Sequence, residues 1–465
     1  MKKKQTSPYI SLAIAAVLLA GAFMAPAIGV LTPEMVKTLI VIITAILLWV
    51  KKPIPIAISS LVLLVLLPMM GLTESLNDAF AGYSNATNFF VIASFGMAIA
   101  VKKSSISNRL LRFFLSVSRG KTKNVVLAVM FMVYVISSVM SDIPAVMIGI
   151  AFAQQLIDSL DEENRPAFGR VLMLSLPFAS IIGGTATPAG SSVNVMALNL
   201  LAANTDIRIS FVQWCTFGVP VSLLLLVAAW FILTRLFHAA DLTKEQVQQF
   251  TGNLELTHKS SLTHEWYVVT VILAMIIAWI AGSWIKALNT TTVAIIGLLL
   301  LILPGIGAFT WKEFCAGVSW EIFLMGGATI MIGSLARSSG LVQLLADTLQ
   351  ANFAGLSAPM LVILLGVVVT LILVIMPVGP ATVSMLVTPV YALAEALGVN
   401  PVLAVITLGM FASNSTILPL NSIMLLSFAP GYWKIPDLIK TGLLVTLVWL
   451  LLAAAWYPLA AGLVL

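Results

Sequence analysis

Ser141-Asp142-Ile143-Pro144 interrupts a stretch that is otherwise apolar from residue 124 to residue 157. A helix needs about 20 residues to cross a bilayer at its 1.5 Å rise, and each arm of this stretch falls short of that. Two half-length helices meeting at a polar tip make a re-entrant hairpin. Pro144 is rejected by helix interiors, and the residue before a proline leans away from the α region. A carboxylate at membrane depth costs roughly 3 kcal/mol or more unless it faces a partner or a water-filled cavity. Broken backbone plus Asp142 therefore reads as a solute or ion site. Asp142 also suits a cap on the second arm, since aspartate favours helix amino termini; both readings can hold together.

The surrounding chain has the balance of a polytopic membrane protein: 60% hydrophobic and 9% charged residues, with a mean hydropathy of +1.08. No soluble domain has that composition. The net charge of +6 bears on membrane orientation rather than on nucleic acid, which is not expected as a partner. Cys215 and Cys315 lie in different segments with no CxxC, so neither a disulfide frame nor a metal site is indicated. His238, His258 and His264 fall in or beside one polar linker and read as solvated. Lys2-Lys3-Lys4 precedes an apolar run over 9–30 that is longer than a signal-peptide core, so it is read as a retained first helix. An ATP-driven pump would need a GxxxxGK[ST] loop, and an intramembrane enzyme a nucleophile–base pair or metal ligands; neither pattern is present, and no enzyme is expected.

Apolar runs predict an all-α membrane fold in four parts: an N-terminal transmembrane helix (1–31), a first repeat (32–238), a cytoplasmic linker (239–264) and a second repeat (265–465). The last span is predicted over 442–465. The first repeat contains the hairpin 124–157 and a helix over 171–203 interrupted at Gly183-Gly184-Thr185-Ala186-Thr187-Pro188-Ala189-Gly190-Ser191-Ser192. The second contains a hairpin over 357–397, broken at Met376-Pro377-Val378-Gly379-Pro380-Ala381, and a helix over 401–430 interrupted at Ser413-Asn414-Ser415-Thr416-Ile417-Leu418-Pro419-Leu420-Asn421-Ser422. With the amino terminus cytoplasmic, all but Lys37, Arg208, Lys286 and Arg337 of the 24 lysines and arginines fall on the cytoplasmic side, as the positive-inside rule requires. The carboxyl terminus is then outside, and the two hairpins enter from opposite faces. Phe178-Ala179-Ser180 recurs as Phe411-Ala412-Ser413, and Pro144-Ala145 as Pro380-Ala381. Together these make an inverted-topology repeat, whose paired breaks point to a binding site near the midplane. A standing channel fits paired broken helices less well than alternating access.

Backbone groups freed by such breaks must be satisfied by protein or by cavity water. Half-helix amino termini suit anions, while unwound carbonyls and hydroxyls suit Na⁺ or another hard cation. The breaks carry neutral oxygen and amide groups rather than thiols or imidazoles, so transition metals are not expected. Candidate substrate ligands are Ser141, Asp142, Ser191, Ser192, Asn194, Gly379, Thr382, Asn421 and Ser422. Candidates for the coupling cation or proton are Ser141, Asp142, Thr185, Thr187, Gly190, Ser413, Asn414 and Thr416. Glu321, near the start of its span, reads as interfacial rather than as a site member.

The order of elements, the stretch Gly183 to Asn194, and Gly431-Tyr432-Trp433-Lys434-Ile435-Pro436-Asp437-Leu438-Ile439-Lys440-Thr441-Gly442 resemble the divalent anion/sodium symporter family, the solute carrier family 13-like group of the ion transporter superfamily. The resemblance covers nearly the whole chain. It implies a homodimer in the cytoplasmic (inner) membrane, with a fixed scaffold and a mobile transport domain that moves as an elevator. It also implies di- or tricarboxylate substrates, Na⁺ coupling, and no other cofactor. Family hairpin tips read Ser-Asn-Thr; here they read Ser141-Asp142-Ile143 and Pro377-Val378-Gly379. The Thr-Pro-Pro that follows each break in the family is replaced by Gly190-Ser191-Ser192-Val193-Asn194, and near Pro419 by Asn421 and Ser422. An ionised Asp142 repels a dicarboxylate unless a cation lies between them or a proton neutralises it, so Asp142 is read as the holder of that cation or proton. The alternative within the same superfamily is a cation/proton antiporter or an inorganic-oxyanion carrier.

Overall fold

Apolar runs bounded by Thr, Ser, Asn and Pro fold into helices started by those residues. In the computed structural model, residues 8–464 are described except 85, 105–108, 110–112, 114–120, 141, 159, 205–206, 242–261, 283, 342–343, 345–354, 376–378 and 420, and no strand occurs among the described residues. Ser141, the second tip (376–378), most of the linker and much of two connecting arms therefore lie outside the described residues.

The chain opens with α1 (Pro8–Phe23), α2 (Pro33–Lys51) and α3 (Ile56–Met69). Thr32 caps α2, accepting from Met35 N at 3.2 Å, with Pro33 placed where its missing N–H is not needed. A short α4 (Leu76–Phe80) leads into α5 (Ala86–Lys103), the two bent by 43°. The first hairpin is α6 (Thr122–Met140) and α7 (Asp142–Asp158). The first interrupted helix is α8 (Arg165–Ala186), a 3-10 turn (Pro188–Gly190) and α9 (Ser192–Asn204). Next is α10 (Phe211–Leu236), begun by a reciprocal capping box between Ser210 and Gln213.

The second half follows the same order. After α11 (Leu262–Ala281) and α12 (Thr290–Ile302), a short α13 (Trp311–Gly317) meets α14 (Trp320–Ser338) at 63°. The second hairpin is α15 (Ala358–Ile375) and α16 (Gly379–Ala396), and the second interrupted helix is α17 (Pro401–Phe411) and α18 (Ser422–Phe428). The chain closes with α19 (Ile435–Val464).

Three boundaries differ from the sequence expectation. Residues 122–139 of α6 are long and apolar enough to span by themselves; the helix begins at Thr122, two residues ahead of the apolar run. The first interrupted helix begins at Arg165 rather than at residue 171. The last helix starts at Ile435 rather than at residue 442. Pro436 suits a first turn, and the acidic Asp437 is favoured there by the helix dipole. Arg170 of α8 holds that carboxylate with two hydrogen bonds, Nε at 2.9 Å to Oδ2 and Nη2 to Oδ1. The same guanidinium lies 4.6 Å from the Phe237 ring centre.

By length and composition α6, α8, α10 and α19 can each cross a membrane. Packing sorts the elements by kind rather than by sequence half. One large core joins both hairpins, both interrupted helices, α10 and α19. A second core is built mainly from α5, α11, α12 and α13, and a third from α1–α4 and α14. In lipid, close packing of small residues draws helices together, since tails are as apolar as leucine. At Gly183 of α8 a Cβ would fall 2.5 Å from the Tyr134 carbonyl oxygen of α6, so the two helices meet backbone to backbone.

Candidate functional site

The first interruption begins where α8 ends in an extended Thr187 (φ −131°, ψ 161°) and resumes after an extended Ser191 (φ −146°, ψ 139°). Two carbonyls freed there are caught by one side chain: Asn194 Nδ2 donates to Gly184 O at 2.7 Å and to Thr187 O at 2.9 Å. Trp214 Nε1 donates to Thr185 O at 3.1 Å, and the Thr187 hydroxyl donates to Ser138 O of the hairpin. Gly190 has room for no side chain, because a Cβ would lie 2.5 Å from Gly184 O. The break is thus held open by side chains, as hydrocarbon surroundings demand.

Asp142, the first residue of α7, is buried against this break. The Ser137 hydroxyl lies 3.1 Å from Asp142 Oδ1 and 2.6 Å from Ser180 O. Ser191 lines the same cavity as Asp142, and Ser180 Oγ donates to the Asp142 carbonyl at 2.6 Å. The tip, α6 and α8 are therefore tied together at Asp142, through its carboxylate to Ser137 and through its backbone carbonyl to Ser180. Gly184 permits the contact: a Cβ there would fall 1.8 Å from Asp142 Oδ1. Gly184→Val is expected to displace the carboxylate and to lower the unfolding temperature in detergent by a few degrees, overpacking a tight site being worth about 1–3 kcal/mol.

The second interruption satisfies itself differently. Asn414 Nδ2 donates to Thr446 Oγ1 at 3.2 Å and to Thr370 Oγ1 at 3.4 Å, and Thr416 Oγ1 donates to Asn414 Oδ1 at 2.6 Å. Asn421 caps α18, accepting from Met424 N at 2.8 Å. Gly379, at the start of α16, is lodged against both breaks, for a Cβ there would meet Ala412 O at 2.6 Å and Val193 Cγ2 at 2.9 Å.

One cavity of about 810 Å³ joins these parts. Of the predicted residues it brings together Asp142, Ser191, Ser192, Gly379, Ser413, Asn421 and Ser422. Asn194, Thr185, Thr187, Gly190, Thr382, Asn414 and Thr416 do not line it; most of them brace the breaks from behind. Ser141 lies outside the described residues. The opposite wall comes from the second and third cores, with Ile56, Phe95, Ile99, Ile322 and Met325. Two buried oxygens at the breaks, Asn194 Oδ1 and Ser413 Oγ, have no hydrogen-bond partner among the described residues. Orphaned acceptors of that kind invite a cation or water.

The sequence profile of the family described as "Sodium:sulfate symporter transmembrane region" matches residues 6–462. The chain belongs to that family. It is an integral membrane protein and a transporter rather than an enzyme. A relative from Staphylococcus saprophyticus, named sodium-dependent dicarboxylate transporter SdcS, is 24% identical over 396 residues, covering 80% of this chain and 76% of its own. An uncharacterized transporter of Schizosaccharomyces pombe is 25% identical over 390 residues, covering 82% of this chain; the match spans only 43% of that longer protein. Among solved structures, MtrF of Neisseria gonorrhoeae, described within a class of antimetabolite efflux pumps, superposes on 97% of this chain and 94% of its own, with a TM-score of 0.61 and 11% identity. That likeness is one of fold.

Within this symporter-family chain, several residues at the site escape a reading of the breaks alone. Glu321 was expected at the interface, yet it lines the cavity with Ser319 and Lys52. Lys52 ends α2 in a left-handed conformation (φ 48°), which turns the chain there. Ser137 and Ser180 reach Asp142 from α6 and α8. Their only sequence signal is a hydroxyl in an apolar helix, which more often bonds to its own preceding turn.

Proposed function

We propose that this chain is a secondary active transporter of small organic anions, driven by a coupling cation and working by an elevator-type cycle. The observation that carries the reading is the single cavity shared by Asp142, Gly379 and residues of both interrupted helices. Its position at the seam between the large core and the two smaller ones supports a mobile transport domain (α6–α10 and α15–α19) against a scaffold (α1–α5 and α11–α14). The matched order of bent pair, hairpin and interrupted helix in each half supports two inverted repeats. The cavity extends to Lys52, Ser319 and Glu321 at helix ends. With the lysine-rich side cytoplasmic, that arrangement is inward-facing. A homodimer in the cytoplasmic membrane follows from the family resemblance.

The solute class comes from the SdcS relative, whose name specifies dicarboxylates, and the coupling ion from its sodium dependence. Asp142, Ser191 and Asn194 at the first break, and Ser413 at the second, supply the oxygen donors that Na⁺ or a proton requires. A second reading, cation/proton antiport, is favoured by Asp142 itself, a buried carboxylate held by the Ser137 hydroxyl beside the break.

Reconstituted protein tests both. Proteoliposomes are offered labelled mono-, di- and tricarboxylates and sulfate, with an amino acid as control, under a Na⁺ gradient, under a proton gradient, and with internal counter-solute. Saturable, protein-dependent accumulation of an unaltered anion is expected, raised by one of the cation gradients. Na⁺-driven proton movement with no anion of any class entering would replace symport with the antiport reading.

A further inference from the structure

Lys52 is the one basic residue lining the cavity among the described residues, and the acidic ones are Asp142 and Glu321. Asp142 is buried at the first break. Lys52 and Glu321 line the same space yet are exposed, which puts them at its opening. Neither makes a salt bridge among the described residues. The backbone of Lys52 is left-handed (φ 48°, ψ 46°), the only such residue other than glycine among the described residues. Glycine or asparagine takes that conformation at less cost. Favourable contact with the α2 dipole does not require a lysine there either, since Lys51 supplies it one residue earlier.

The charges at the opening do not cancel. A helix end carries about half an elementary charge, so two lysines at the carboxyl end of α2 leave roughly +1.5, and Glu321 at the amino end of α14 leaves roughly −0.5. Both helices are built into the third core, through Trp49 and Met325. The hairpins and breaks, with Asp142, belong to the large core. In an elevator cycle the solute travels with the breaks, and Lys52 stays behind. We propose that Lys52 is an anion-attracting residue of the fixed domain, raising affinity for the solute at the cytoplasmic opening alone, with Glu321 opposing it. A charged opening of this kind concentrates counter-ions and speeds their entry. An interaction made in one state only shifts the equilibrium toward that state, so Lys52 biases the loaded carrier toward facing inward. This rests on the reading of the cavity as an inward-facing anion-transport site.

The test is the KM for labelled succinate, citrate and sulfate in inside-out and right-side-out membrane vesicles carrying the full chain. Each is measured as exchange against the same unlabelled anion, with Na⁺ and pH equal on both sides. Lys52→Asn, which suits the left-handed turn, is expected to raise the KM at least threefold in inside-out vesicles, whose outer surface is the cytoplasmic face. In right-side-out vesicles the change should stay below about 1.5-fold. Glu321→Gln should lower the inside-out KM, and Lys52→Arg should keep the wild-type value. The Lys52→Asn effect should shrink as KCl rises from about 0.1 M to about 1 M, which shortens the Debye length from about 10 Å to about 3 Å. An equal rise on both faces overturns the proposal, as does an unchanged inside-out KM, or a Glu321→Gln effect of the same sign as that of Lys52→Asn. Each of those results leaves anion transport standing. If wild-type vesicles of neither orientation exchange any of the three anions, the transport reading fails together with it.

Discussion

Asp142→Ala should reduce concentrative uptake at least 100-fold, a loss equivalent to about 2.7 kcal/mol. Among the described residues the carboxylate is the one acidic group at the meeting of the first tip and the first break, and it accepts from the Ser137 hydroxyl of α6. Removing it takes away the partner of the coupling cation and leaves Ser137 facing a void. Asp142→Asn separates charge from shape. The amide keeps the hydrogen bond to Ser137 but can neither carry a proton nor neutralise Na⁺. Uptake by this variant should lose its response to the driving gradient while facilitated exchange persists. Initial rates measured against Na⁺ concentration and pH decide the matter, and unchanged rates with unchanged Na⁺ and pH dependence would remove Asp142 from the coupling role.

Arg170→Ala should give the largest loss of stability. Arg170 joins the second turn of α8 to the first turn of α19 through two hydrogen bonds to Asp437, and it stacks over Phe237 at the end of α10. The Asp437 side chain is 10% exposed and that of Arg170 43%. Deleting the cation leaves a mostly buried carboxylate without its bidentate partner, worth about 2–4 kcal/mol after allowance for the exposed side of the pair. Thermal unfolding in detergent should shift down by several degrees. Arg170→Lys should recover only part of that, since an ammonium can neither fork onto the carboxylate nor stack on the ring as well. An unfolding temperature within a degree of wild type for Arg170→Ala would reduce the pair to a surface contact.

Much of this architecture was legible because breaks announce themselves in an apolar chain. Pro188, Gly190 and Ser191 mark the first interruption, and the helix stops at Ala186 and resumes at Ser192. Ser413 to Asn421 marks the second, where helix is lost between Phe411 and Ser422. The start of α19 was not legible: Asp437 and Lys440 look like loop charges until Arg170, far away in sequence, is seen to pair with the first of them. Lys52 and Glu321 reach the cavity from helix ends of the smaller cores, and nothing local distinguishes them from ordinary interfacial charges. The division into three cores depends on which helix faces meet, and one-dimensional hydropathy is silent on that when a helix is apolar nearly all round.

Gly379 carries a consequence for how the chain is assembled. It belongs to the second half, yet it is seated between Ala412 and the first-half Val193, while Ser427 of α18 donates its hydroxyl to Met173 O of α8. The pocket is a joint product of both halves. A chain cut within residues 242–261 would yield two fragments, neither of which can build the pocket by itself. Their co-expression in one bilayer should restore it.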